Sequence, residues 1–244
     1  MFWPPPRHCS AMPEAAGIDG DSPGPGRIFC IGRNYAEHAR ELDNPLPTEP
    51  VVFMKPGACL CPPEGEIAFP RHGDSLHQEV EIVIRIGKGG RDIPAAEAAA
   101  HVDGVTVGFD LTLRDVQTRL KDRGLPWEKA KAFENAAPIG EFVAAGGLDL
   151  GAIEFGCTVA GQQRQKGNTG DMLFSIPRLV EYLSSIWALA PGDLVYTGTP
   201  AGVGPVGPGD ELVAEAAGIG RFRWTIAPRT AGADSTAPRS SAPT

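Results

Sequence analysis

Glu79-Val-Glu81-Ile-Val-Ile-Arg-Ile86 alternates without a break. Val80, Ile82, Ile84 and Ile86 fall on one side of an extended chain; Glu79, Glu81, Val83 and Arg85 fall on the other. Such a run specifies a strand with one aliphatic face, and that face needs partners of the same kind. Val105–Leu111 supplies one, with Val105, Val107, Phe109 and Leu111 opposite Thr106, Gly108 and Asp110. Arg27–Gly32 and Val51–Met54 are short apolar strands. Leu194–Thr197 and Glu211–Glu215 each follow a Pro-Gly-Asp turn, and Phe222–Ile226 closes the set. Helical spacing is confined to Asn34–Leu42, Arg114–Arg123 and Ile176–Trp187, the last with Pro177 suited to its first turn. Strands outnumber helices and no strand–helix–strand rhythm repeats. The expected fold is therefore β-rich α+β, a curled, largely antiparallel or mixed sheet with a few short helices.

The chain has 244 residues, enough for one domain with a sizeable core and short for two. We expect the folded unit to span 27–227. Residues 1–26 carry Pro runs where a signal peptide would have an apolar core, and 228–244 offer too little apolar surface to offset ordering entropy. Both flanks are expected to be disordered. A formal charge of −8 argues against nucleic acid as the main partner, because phosphate binding needs a basic surface. No run approaches the ~20 apolar residues of a membrane span, so no membrane role is expected. Five cysteines form no even framework, which favours reduced thiols and a cytoplasmic location. Cys59-Leu-Cys61 is half of a zinc pair whose second half is missing.

Chemistry concentrates at the acidic edge of the deciding strand. Residues two apart on a strand share a face, with Cα atoms ~6.5 Å apart. Glu79 and Glu81 therefore repel, and something positive should compensate them. Asp110 sits on the corresponding side of the next strand, where sheet pairing could bring it to both. Three carboxylates with open positions suit Mg²⁺ or Mn²⁺. A solvated strand face explains Glu79 and Glu81 equally well, so the pattern alone leaves the metal open.

His38 and Glu41 are three apart on a short helix and can meet there, the arrangement a general base acting on water requires. Lys131, in Trp127-Glu-Lys-Ala-Lys131-Ala-Phe133, is flanked by aromatics in a segment that is neither clearly helix nor strand. It is placed either to meet a substrate carbonyl or to lay its stem over apolar surface. Arg114 and Gln117 could grip a carboxylate together. Gly202-Val-Gly204-Pro-Val-Gly207 matches a dinucleotide fingerprint by letter, but it leads into a turn and a strand, with no helix N-terminus to receive a pyrophosphate.

Together these pieces resemble the fumarylacetoacetate hydrolase family, above all its short single-domain acylpyruvate hydrolase and oxaloacetate decarboxylase branch. The stretches that carry the resemblance begin with Ile31-Gly-Arg-Asn-Tyr-Ala-Glu-His38-Ala-Arg-Glu41 and Glu49-Pro-Val-Val-Phe-Met-Lys55-Pro. Leu76-His-Gln-Glu79-Val-Glu81, Gly108-Phe-Asp110-Leu-Thr-Leu-Arg114-Asp-Val-Gln117 and Gly124-Leu-Pro-Trp127 through Phe133 follow. Gly170-Asp-Met-Leu-Phe174-Ser-Ile-Pro177 and Thr197-Gly-Thr199-Pro-Ala-Gly-Val-Gly204 complete the series in the family's order. The resemblance implies a mixed-sheet β-roll, usually a homodimer. It makes Glu79, Glu81 and Asp110 ligands of Mg²⁺ or Mn²⁺, and His38 with Glu41 the water-activating dyad on a lid segment. Lys131 becomes the catalytic Lys that contacts substrate oxygens, and Arg33, Arg114, Gln117 and Thr199 line the pocket. The implied reaction is hydrolysis of the C–C bond of 3-acylpyruvates, of acetylpyruvate or fumarylpyruvate type, with oxaloacetate decarboxylation beside it. A 2-hydroxymuconate-type isomerase, an oxaloacetate keto–enol tautomerase and a catalytically silent binding protein are the alternatives.

Overall fold

The Val80–Ile86 strand sits inside a six-stranded sheet of the computed structural model, which describes residues 26–41 and 45–228. It pairs antiparallel with Val102–Phe109 on one side and with Leu194–Tyr196 on the other. Arg27–Gly32 adds parallel to Leu194–Tyr196, and Val51–Pro56 adds antiparallel beyond it. A second, five-stranded sheet runs Gln162–Asn168, Glu154–Val159, Glu211–Ala216, Gly220–Ala227 and Glu66–Ala68, its last pair parallel. Sheets are mixed and helices few, as expected. Apart from Gly26 and Pro228, the flanks expected to be disordered lie outside the described residues, as does Leu42 at the end of the first helix.

The aliphatic stripe does the packing. Val80, Ile82, Ile84, Ile86, Val105, Val107 and Phe109 are all fully buried. They face the second sheet, where Phe109 meets Trp224 edge-on with ring centroids 5.6 Å apart. Burying each such side chain contributes on the order of 2 kcal/mol.

The reverse face is the one that matters for chemistry. Directly paired residues share a face. Gly108 opposite Glu81, Tyr196 opposite Val83 and Lys55 opposite Ile28 therefore all lie on the Glu81 side. That side is not solvated. The chain from Asp110 to Gly140 folds back across it, with Tyr196 Oη donating to the Pro138 carbonyl at 3.2 Å. Gly108 permits this close approach: a Cβ there would lie 2.4 Å from the Pro138 carbonyl oxygen. Gly108→Ala should accordingly cost about 1–3 kcal/mol, by the usual penalty for overpacking. Urea denaturation would read this as a lower midpoint, and an unchanged midpoint would refute the close contact.

The segment around Lys131, ambiguous in sequence, is a short helix, Glu128–Lys131, whose first turn is tied to the Trp127 carbonyl. The strand read as Val105–Leu111 spans Val102–Phe109 instead, so Asp110 lies just past its end. The hairpin Glu154–Val159 with Gln162–Asn168 has no counterpart in the sequence reading, because Gln-Gln-Arg-Gln-Lys-Gly-Asn carries no apolar stripe.

Candidate active site

Sheet register brings the carboxylates together. Val80 pairs with Phe109, which sets Glu79 across from Asp110, and the Asp110 N–H donates to the Glu79 carbonyl at 2.8 Å. One oxygen from each of Glu79, Glu81 and Asp110 lies within 4.8 Å of the others. Their exposures are 4%, 1% and 1%, which rules out the solvated strand face.

Buried cations offset part of this charge. Lys131 Nζ, 3% exposed, donates to Glu79 Oε2 at 2.8 Å and to Asp110 Oδ2 at 2.6 Å. Arg114 donates from one guanidinium nitrogen to Glu79 and from another to Gln117 Oε1 at 2.6 Å. Lys131 is thus placed on the carboxylates, and the same ammonium sits 4.9 Å from the Phe53 ring centre. Lys55, quoted above without a role, is the cation that sequence reasoning missed. Its Nζ lies 2.7 Å from Asp110 Oδ1, out of line for a hydrogen bond, and donates instead to the carbonyls of Leu111 and Ala136 at 3.2 and 2.5 Å. A lysine inside the apolar run Val-Val-Phe-Met-Lys55 was the available signal.

The three carboxylates are held unequally. Burial favours the neutral form of Glu79, yet Lys131 and Arg114 beside it win and hold its carboxyl below the usual range. No such cation pairs with Glu81 among the described residues. Burial, then the charges of Asp110 and Glu79, push its carboxyl well above the usual range, against the 2.7 Å bond from the Gly198 N–H. Asp110 Oδ1 has no aligned donor among the described residues. An all-oxygen, buried donor set fits a small hard divalent ion, Mg²⁺ or Mn²⁺.

His38 is buried at 4%, and its Nδ1 lies 3.2 Å from Glu41 Oε2. Glu41 is itself held by the Gly202 N–H, 3.1 Å from Oε1. Gly202 must be glycine: its φ is +97°, and a Cβ would lie 2.1 Å from the Arg164 carbonyl oxygen. The decoy motif thus anchors the dyad, and no helix follows it. His38, Glu79, Glu81 and Asp110 line one cavity, together with Arg33, Arg114, Gln117, Lys131 and Thr199. Glu41 lies behind His38 rather than on the lining. The Thr199 hydroxyl is engaged, donating to the Val80 carbonyl at 2.8 Å and accepting from Gln165 at 2.7 Å. Gln165, buried and also accepting from the Val80 N–H, is a second residue missed in sequence, since it lies on the unread hairpin.

The model of the fumarylacetoacetate (FAA) hydrolase C-terminal family matches residues 27–227. The chain belongs to this family. Within the family it is 45% identical over 188 residues to a mitochondrial oxaloacetate decarboxylase of Dictyostelium discoideum, covering 76% of this chain and 86% of that one. It is 43% identical over 188 residues to the oxaloacetate tautomerase YcgM of Escherichia coli, covering 76% and 86%. Among solved structures it resembles a fumarylpyruvate hydrolase from Pseudomonas aeruginosa in complex with Mn²⁺ and pyruvate. That match has a TM-score of 0.83 and 38% identity, over 91% of this chain and 99% of the other. These fumarylacetoacetate hydrolase relatives are enzymes of single-domain length, and the acidic triad with a Mn²⁺-bearing neighbour indicates a divalent metal site. No helix among the described residues is long and apolar enough to cross a membrane.

Proposed function

We propose that the protein hydrolyses the C–C bond of 3-acylpyruvates to pyruvate and a carboxylate, with Glu79, Glu81 and Asp110 holding Mg²⁺ or Mn²⁺. The observation that carries this reading is a buried His38, backed by Glu41, facing the same cavity as the three carboxylates. When bound, the divalent ion supplies positive charge for the electrons that collect on the 2-oxo oxygen as the bond parts. The remaining work falls to side chains. Glu41, fixed by Gly202, accepts from His38 Nδ1–H and leaves Nε2 as the proton acceptor. His38 takes a proton from water, and the resulting hydroxide adds to the distal carbonyl. The C3–C4 bond breaks with its electron pair passing to the pyruvate fragment as an enolate, and the His38 proton is returned to C3. Lys131 and Arg114 fix the Glu79 carboxylate, while Arg33 and Gln117 are placed to orient the substrate.

The names of relatives at 43–45% identity favour a second reading, oxaloacetate tautomerisation or decarboxylation on the same site. Both readings pass through the enolate of a 2-oxo acid. Assaying one Mn²⁺-supplied preparation against acetylpyruvate, fumarylpyruvate, oxaloacetate and a 2-hydroxymuconate, with product identification, decides between them. Pyruvate plus the matching acid is expected from the first two. Isomerised product alone would displace the hydrolase reading, and no turnover with no metal uptake would leave a binding protein.

Metal uptake should depend on pH. In the metal-free protein the raised carboxyl of Glu81 retains its proton above the ordinary carboxylate range, and a cation must displace it. Apparent Mn²⁺ affinity is therefore expected to rise with pH, by up to about tenfold per unit, levelling above the Glu81 value. Calorimetry in buffers of different ionisation enthalpy checks this as proton release. A homodimer belongs to the same proposal and is supported by the family resemblance; sedimentation should then give twice the 25.7 kDa chain mass. A cytoplasmic location is likewise proposed, supported by the four cysteines among the described residues, which are free and buried.

A further inference from the structure

Val80 stands between two carboxylates of the triad, and on one side its backbone is held by side chains rather than by a strand. Leu194, Val195 and Tyr196 lie opposite Arg85, Ile84 and Val83, a register that three further steps would carry to Thr199 opposite Val80. Thr197 keeps to it, donating its N–H to the Ile82 carbonyl at 3.1 Å. Gly198 departs from it: its φ of +103° turns the chain, and its N–H goes to Glu81 Oε2. Val80 is fully buried, so its N–H and C=O need partners that the ladder no longer gives. Gln165 and Thr199 supply them. The Val80 N–H donates to Gln165 Oε1 at 2.9 Å, Gln165 Nε2 donates to Thr199 Oγ1 at 2.7 Å, and Thr199 Oγ1 donates to the Val80 carbonyl at 2.8 Å. These bonds close a ring around one residue. Gln165 Nε2 also donates to the Pro200 carbonyl at 2.8 Å, and Gln165 Oε1 takes Cys157 Sγ at 3.6 Å. The whole amide, in a side chain buried to 1%, is engaged.

The strand that carries Gln165 is shaped to send it there. Gln162–Asn168 is an edge strand, exposed at Gln162, Gln163, Arg164 and Lys166 but buried at Gln165. Cys157 pairs with Gln165 and Thr158 with Gln163, which leaves Arg164 as an extra residue. Such a bulge re-aims the side chains beside it. What Gln165 then fixes is the pair of peptide groups that meet at Val80, and these set where Glu79 and Glu81 leave the chain. We propose that Gln165 is a positioning residue for the metal site, holding Val80 through the ring shared with Thr199 so that Glu79 and Glu81 converge on one ion. This role rests on the three-carboxylate metal reading above and requires no contact with substrate.

Mn²⁺ affinity of the full-length protein, measured by calorimetry without substrate, tests this apart from turnover. Gln165→Met keeps the side chain's length and removes its hydrogen bonds. Affinity should fall about ten- to a hundredfold, the usual effect of losing a group that orients a metal ligand. Thr199→Val, close to isosteric, should lower it over the same range, whereas Thr199→Ser, which keeps the hydroxyl, should stay within about twofold of the wild type. Because the ring acts as a unit, Gln165→Met combined with Thr199→Val should lose little more than either change alone. Ile93→Ala is the control. Ile93 is buried beside Ser184 and Gly90, beyond the Ile86 end of the Val80–Ile86 strand. Its truncation should lower the thermal midpoint yet leave Mn²⁺ affinity within about twofold. Unchanged affinity in Gln165→Met, or additive losses in the double variant, overturns the role and leaves the metal reading standing. An equal loss in Ile93→Ala makes the effect one of stability and overturns the role too. Should Gln165→Met not fold, Thr199→Val against Thr199→Ser decides: a loss confined to Thr199→Val supports the role, and equal affinities overturn it. A wild type that takes up no Mn²⁺ overturns the metal reading and the role together.

Discussion

Glu81→Gln is expected to abolish divalent-metal uptake and to lower turnover of every 2-oxo acid substrate by about a thousandfold or more, the scale of several kcal/mol of lost charge stabilisation. The substitution is nearly isosteric, and the amide oxygen can still accept the Gly198 N–H that Glu81 accepts at 2.7 Å. It also removes a buried carboxylate that no cation pairs and that Asp110 and Glu79 repel. The metal-free variant should thus be as stable as the wild type or more so, while losing the stabilisation that Mn²⁺ gives the wild type. Loss of activity with a collapsed fold would point to a structural role for Glu81. Retained Mn²⁺ binding would remove it from the ligand set.

The second large effect separates reactions rather than removing all of them. His38→Ala is expected to cut acylpyruvate hydrolysis by about 10²–10⁴-fold, the usual contribution of a positioned general base. Oxaloacetate decarboxylation needs no hydrolytic water, because carbon dioxide leaves and the same enolate forms. It should fall by less than about tenfold. Parallel measurement of pyruvate from both substrates reads the split directly. Equal loss of both reactions would contradict the water-activating role. Loss of oxaloacetate tautomerisation instead would move His38 to the proton transfer of the second reading.

The deciding strand and its acidic partners were legible because period two is a strong signal and because sheet register follows from it. Once Val80 faces Phe109, Glu79 must face Asp110. What the pattern could not show is that both faces of this strand are buried. An alternating run predicts one dry and one wet face, and here the chain from Asp110 to Gly140 covers the second through the space left by Gly108. The burial of His38 went unread for a related reason, since tertiary cover is not written in the spacing of a six-residue helix. Lys55 was hidden by its own strand: a lysine among Val, Phe and Met reads as an edge residue until Asp110 is placed beside it. Gln165 was lost with a polar hairpin whose stability comes from its neighbours rather than from an apolar stripe. Lys131 was ambiguous because a four-residue helix carries too little periodicity to declare itself.

The most direct test of the account is diffraction from crystals of the full-length chain soaked in Mn²⁺, with data collected at the manganese absorption edge. One anomalous peak per chain is predicted, bonded to oxygens of Glu79, Glu81 and Asp110, with the Lys131 ammonium displaced from at least one of its two carboxylates. A manganese peak elsewhere, or none while Lys131 still bridges Glu79 and Asp110, would contradict it.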